Sequence, residues 1–203
     1  MLSSRVWYKA RVGPDQRTRH RLATVLSAAG HPFVLVPITI AFATRGAWLG
    51  VALAAVTSLT LLAVIAHRVR RGRWSDHDVS DPEQRHSFYP VALGIVGASA
   101  VLAWWAGVAP GVLRGFVMGV CLLAAAAAIT RWTKVSLHTM WGAFCASALV
   151  GSEVGVALAL GALVACVGWS RVALGRHTLG QVALGGVVGC LAGALLIILN
   201  QVA

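Results

Sequence analysis

The chain is built from apolar runs of about twenty residues, joined by short polar steps. Runs of that length and composition cross a bilayer as helices, because hydrocarbon offers no solvent for unpaired backbone groups. They cover about 22–44, 47–67, 88–107, 112–130, 140–151, 154–169 and 182–200. The fifth is short unless the polar step before it is itself helical. The expected fold is therefore all-α, a polytopic membrane bundle of about seven transmembrane helices. A basic segment, 1–21, precedes an integral membrane domain, 22–203. No soluble domain, low-complexity linker or internal repeat is visible. Gly185, Gly189 and Gly193 form a small-residue ridge on the last helix, which reads as intramolecular packing.

Composition excludes the alternatives. The 58% hydrophobic and 11% charged content cannot cover a soluble surface. The net charge of +11 comes from 17 basic and 6 acidic residues, but the basic residues lie between apolar runs rather than along a soluble stripe. Lipid headgroups or phosphate are the expected partners, and nucleic acid is not. Cys121, Cys145, Cys166 and Cys190 form no C-x-x-C pair and read as small core residues rather than disulfides or metal ligands. The N-terminal region, with Arg5, Lys9, Arg11, Arg17, Arg19 and Arg21, reads as the lead into a retained first helix, not a signal peptide.

Seven spans place the N-terminus and the steps at 68–87, 131–139 and 170–181 on one face. All basic residues except Arg45 and Arg114 then share it. The positive-inside rule makes that face cytoplasmic and assigns the run at 68–73 to topology. Trp74, Trp132, Trp141 and Trp169 fall at span ends, as an interfacial belt would. The acids at 76–83 are expected either to pair with the arginines of the 68–73 run and shape the loop or to take a direct part in the site, the two readings fitting equally. His31, inside the first apolar run, is a functional candidate by position, although a water-satisfied or helix-pairing histidine fits it better.

The polar steps carry the chemistry. The last reads Ser170-Arg171, five residues, His177, three residues, Gln181. The middle one contains Lys134, Ser136 and His138, and the first ends with Arg85. In this order and spacing the chain resembles the type 2 phosphatidic acid phosphatase family, membrane relatives of the vanadium haloperoxidases. The motifs of that family are K-x6-R-P, P-S-G-H and S-R-x5-H-x3-D. The departures are Asp78 at the lysine position, His86 for the first proline, Val135 and Leu137 in the second motif, and Gln181 for the aspartate. The acids ahead of Arg85 look like a variant first motif of some bacterial members.

The resemblance implies a phosphatase/haloperoxidase-like core in a bacterial plasma membrane. It also implies hydrolysis of a lipid phosphate through a phosphohistidine. The residue chemistry agrees. Arg85, Arg171 and Lys134 can bind phosphoryl oxygens, and Ser136 and Ser170 can donate hydroxyl hydrogen bonds. His177 is the expected nucleophile, Gln181 its acceptor one helical turn on, and His138 the acid and base. No metal or cofactor is required. Phosphatidate, phosphatidylglycerol phosphate and polyprenyl phosphates all fit as substrates. The competing expectation is a non-hydrolytic lipid-phosphate binder or transporter, motivated by Gln181 and Leu137. Haloperoxidase activity is disfavoured because those enzymes are soluble. Oligomeric state is not fixed by the sequence.

Overall fold

The computed structural model describes residues 14–45, 48–79 and 81–202. Arg5, Lys9 and Arg11 lie outside them. The described residues form eight helices and no strand: α1 Pro14–Ala29, α2 Pro32–Thr44, α3 Trp48–Arg70, α4 Pro82–Trp105, α5 Pro110–Ile129, α6 Leu137–Ala148, α7 Val154–Ala173 and α8 Leu179–Gln201. Helix α1 runs through position 21.

Five helices, α3, α4, α5, α7 and α8, are long and apolar enough to cross a membrane. A sixth span exists if α1 and α2 are counted together across their 46° bend. The first and fifth of the expected seven runs are not unbroken helices of spanning length, and two local causes explain it. The first is Pro32, which has no N–H to donate and pushes the residue before it out of helical geometry. His31 accordingly sits at φ −68°, ψ 134°, and its side chain caps α2 by accepting from the Phe33 N–H. The second cause lies before α6. Residues 134–136 have no regular structure, and the helix begins only after its N-cap, Ser136. At 12 residues α6 is about 18 Å long, too short to span alone. Its downstream turn still reaches the Arg45 end of the bundle, where Glu153 accepts from Arg45 Nη2 at 3.0 Å.

The glycine ridge determines where α6 lies. Side chains at Gly185, Gly189 and Gly193 would collide with α6 at Ser136, Met140 and Ser147 respectively. Without them the two backbones close together, and this is the intramolecular packing expected from the ridge. The contact is locked at the charged end. Ser136 N–H donates to the Gln181 carbonyl (3.3 Å), and Thr139 Oγ1 to the Val182 carbonyl (3.1 Å). The ridge thus presses the second polar step against the third.

The loop after α3, described at 71–79, folds back over the same end. Trp74 is 3% exposed, donates to Ser87 Oγ at 3.0 Å, and lies under the Arg68 guanidinium. It is a loop anchor, not part of a belt; among the described residues Trp48, Trp104, Trp105, Trp132 and Trp169 are the exposed tryptophans, so Trp132 and Trp169 keep the expected position. The cysteines are free, as expected, but only Cys145 is buried, so Cys121, Cys166 and Cys190 are not core residues. Arg114 bonds Asn200 (2.8 Å) and, like Arg45, lies away from the charged cluster.

Candidate functional site

Each polar side chain reaches the site from a helix end. Arg85 projects from the first turn of α4, behind a Pro start and an Asp81 N-cap. Ser136 and His138 open α6, Arg171 closes α7, and His177 precedes α8. His31 and Ser27 come from the α1–α2 break. The Arg85 and Arg171 side chains rank among the most buried in the chain, at 2% and 1% exposed. Two guanidiniums buried this deeply need partners or an anion.

Arg85 is held by backbone carbonyls. Its Nε donates to Val79 O (3.1 Å) and its Nη1 to Val135 O (2.7 Å), while Nη2 lies 3.5 Å from His177 Nε2. Val79 adopts φ +47°, a strained conformation for a β-branched residue. That strain presents its carbonyl to Arg85. Arg171 donates through Nη1 to Asp78 Oδ2 (2.7 Å) and Ser27 Oγ (2.8 Å), and its Nε is buried without a hydrogen-bond partner among the described residues. His138 Nε2 is orphaned in the same way, 3.9 Å from Asp78 Oδ1. Two unpartnered buried polar atoms on facing helices point to a ligand between them.

The geometry around His177 fixes its tautomer. Thr178 and Gln181 form a capping box, in which Gln181 Oε1 accepts the Thr178 N–H at 3.3 Å. The atom in that position must be the amide oxygen. The same oxygen lies 3.1 Å from His177 Nδ1, so Nδ1 carries the proton and donates. Nε2 is left with its lone pair, directed toward Arg85. Burial, and then the charges of Arg85 and Arg171, push His177 down to about 3, against the smaller opposing effect of Gln181. It is a neutral imidazole across the physiological range.

Lys134 Nζ donates to the Arg176 carbonyl at 3.4 Å, next to His177. Burial, with Arg85 and Arg171 nearby, holds its pKa below the usual lysine value. Ser136 Oγ caps α6 by accepting from the Thr139 N–H, which leaves its own proton available. Ser170 is placed differently. Its hydroxyl donates to the Val167 carbonyl of its own helix (2.7 Å) and is fully buried there. The structure therefore gathers Arg85, Lys134, Ser136, His138, Arg171, His177 and Gln181, and puts the Ser170 hydroxyl to use within α7.

Sequence reasoning missed the partners of the arginines. Asp78 pairs with Arg171, and Asp76 with Arg176 at 3.1 Å. Burial alone would raise the Asp78 carboxyl, but Arg171, by charge and hydrogen bond, holds it below the usual carboxylate value. Ser27 and His31 were not joined to the site either, since no local pattern links residues so far apart.

Beneath the polar groups lies a cavity of about 380 Å³. Arg85, Arg171, Asp78 and His138 line one end; Val36, Leu61, Val96 and Phe116 line its walls; Gly111 and Asn200 lie at the far end. Charged and polar groups therefore close one end of a shaft whose walls are apolar. No protein-family model, curated protein or solved structure matches the chain.

Proposed function

We propose that this protein is a metal-independent phosphatase of membrane lipid phosphates that works through a phosphohistidine on His177. The observation that carries the reading is the state of that residue: neutral, with Nδ1–H held by Gln181 and the Nε2 lone pair facing Arg85 at 3.5 Å. The resemblance to the type 2 phosphatidic acid phosphatases supports it, as does the apolar shaft below the charged groups.

In this reading the phosphoryl oxygens lie on Arg85, Arg171 Nε, Lys134 and the Ser136 hydroxyl, which neutralise charge in the transition state. His177 Nε2 bonds to phosphorus as the ester P–O bond breaks, and the electron pair leaves on the alcohol oxygen. That oxygen takes a proton from His138, which burial and the charge of Arg171 hold well below its usual value until the phosphate charge beside it favours the protonated form. Water then gives a proton to His138 and attacks phosphorus, the N–P bond breaks, and inorganic phosphate leaves. The tail occupies the shaft, so the substrate is a phosphomonoester or diphosphate of a long-chain lipid. By the positive-inside rule the active face is cytoplasmic, in a bacterial plasma membrane.

The test is phosphate release by purified protein across a panel of phosphatidate, phosphatidylglycerol phosphate and polyprenyl phosphates. Wild type is expected to release phosphate from at least one, and His177→Ala from none. Full activity in His177→Ala would remove the mechanism. Binding of these lipids without any release would favour a lipid-phosphate carrier instead.

A further inference from the structure

His31, Asp78 and His138 converge from three separate parts of the chain. One ligand atom from each lies within 4.8 Å of the other two. The His31 and His138 rings meet edge to face with centroids 4.8 Å apart. His138 is 6% exposed and its Nε2 has no hydrogen-bond partner among the described residues. Asp78 is divided between two tasks. Its Oδ2 receives Arg171, and its Oδ1 faces His138 Nε2.

Two imidazoles and one carboxylate oxygen form a donor set suited to a zinc-like divalent ion rather than to magnesium or calcium, which prefer all-oxygen shells. A ligating carboxylate whose second oxygen is held by a hydrogen bond is a common supporting arrangement. All three residues also line the cavity, so an ion and its remaining water or substrate ligands have room.

We propose that His31, Asp78 and His138 form a zinc-binding site whose occupation inhibits the protein. The three donors must draw in by a fraction of their present separation, and two of them sit on breaks rather than in helix interiors. His31 is one of the two residues between α1 and α2, and Asp78 is on the loop after α3. Binding does involve a trade. His31 Nδ1 now accepts the Phe33 N–H over a long 3.3 Å, and that cap bond is lost whichever ring nitrogen takes the metal. Arg171 and Arg85 oppose a cation, so the site is weaker than a closed structural zinc site. The metal takes the Nε2 lone pair of His138, the atom that must carry the proton in the catalytic cycle. Inhibition rests on the phosphatase reading; metal binding does not.

The experiment titrates the full-length detergent-solubilised protein with Co2+ and reads the visible ligand-field bands, then measures lipid-phosphate hydrolysis with and without Zn2+. His31→Asn is the informative variant. Asn is a strong N-cap, so α2 keeps its start, while the imidazole is gone. Wild type is expected to bind one Co2+ with low-symmetry bands that Zn2+ displaces. His31→Asn and Asp78→Asn should bind at least about tenfold more weakly, since even a lost supporting contact to a ligand costs that much. Hydrolysis by His31→Asn, measured as the fraction of its own metal-free rate that survives Zn2+, is expected to resist the ion where wild type does not. No cobalt bands in wild type, or bands unchanged in both variants, would overturn the site. Equal zinc inhibition of wild type and His31→Asn would overturn the inhibitory role. Intact cobalt binding in a protein that hydrolyses no lipid would uphold the site and sink the phosphatase reading instead.

Discussion

Replacing Gln181 with Met removes an acceptor and keeps the length of the side chain. Oε1 of Gln181 takes two hydrogen bonds, from His177 Nδ1 at 3.1 Å and from the Thr178 N–H at 3.3 Å. Losing the second weakens one half of a capping box, worth up to about 1 kcal/mol of helix stability. Losing the first leaves a largely buried N–H unpaired, a penalty of about 1–3 kcal/mol. The imidazole can escape that penalty by moving its proton to Nε2, which abolishes the nucleophilic lone pair. With about 1.4 kcal/mol per factor of ten, the active tautomer falls roughly 5- to 150-fold. The expected result is a loss of that size in kcat, with KM nearly unchanged because the arginines still hold the phosphate. Gln181→Glu keeps both acceptor bonds and makes the one to His177 charge-assisted, about twice as strong as a neutral bond, so it should retain kcat and raise the pKa of His177. Steady-state kinetics on a soluble short-chain lipid phosphate, with circular dichroism to confirm helicity, decides the matter. A Met variant within twofold of wild-type kcat would refute the orienting role. Equal losses in Met and Glu would show that the position matters only for shape.

Three further outcomes follow from the geometry. Asp78→Asn keeps a hydrogen-bond acceptor for Arg171 but removes a negative charge from the phosphate site. At ~5 Å and an effective dielectric near 20, that charge opposes a phosphate charge by up to about 3 kcal/mol, so with solvent screening inhibition by inorganic phosphate should tighten by about tenfold; weaker inhibition would contradict the placement. His177 titrates near 3 instead of 6.5. The unfolded chain therefore binds the extra proton between these values, and the stability contribution, complete above about pH 6.5, is lost as pH falls, by up to about 1.4 kcal/mol per unit. NMR titration of labelled histidine should find the His177 ring still neutral at pH 5, and a value near 6.5 for His177 would refute its burial among positive charges. Gly189→Ala drives a methyl into the Met140 carbonyl and should destabilise by about 1–3 kcal/mol, read by thermal unfolding in detergent. Gly186→Ala, on an open face of the same helix, should not.

How much of this was legible depended on how far each interaction reaches along the chain. Apolar runs report helices because burial in lipid is a property of a contiguous stretch, and α3, α4, α5, α7 and α8 fall close to where those runs predict. The His177–Gln181 contact was legible because four residues are one helical turn, and the glycine ridge because its spacing repeats on one face. The shortness of α6 turns on whether 131–136 continue a helix, and hydropathy alone does not decide that. His31-Pro32 did carry a break signal, but the surrounding apolar run masked it. The partners of Arg171, Asp78 and Ser27, are 93 and 144 residues away in sequence, and no periodicity encodes a pairing of that range.

Those distant pairings change the meaning of the motif departures. Taken singly, the acid at 78 and the amide at 181 look like losses from a phosphate-binding pattern. In the folded chain they are complementary. An aspartate at 181 would place a negative charge on His177 and, across it, near Arg85. The glutamine holds the same proton without that charge. The acid lies instead at 78, on the far side of Arg171, where it is 2.7 Å from the guanidinium and 3.9 Å from His138. A carboxylate there steadies Arg171 while His177 stays neutral. Burial, and then the charge of Arg171, hold His138 well below its usual value too, so in the proposed reaction it is the arriving phosphate charge, beside the acid at 78, that favours a proton on His138 rather than on His177.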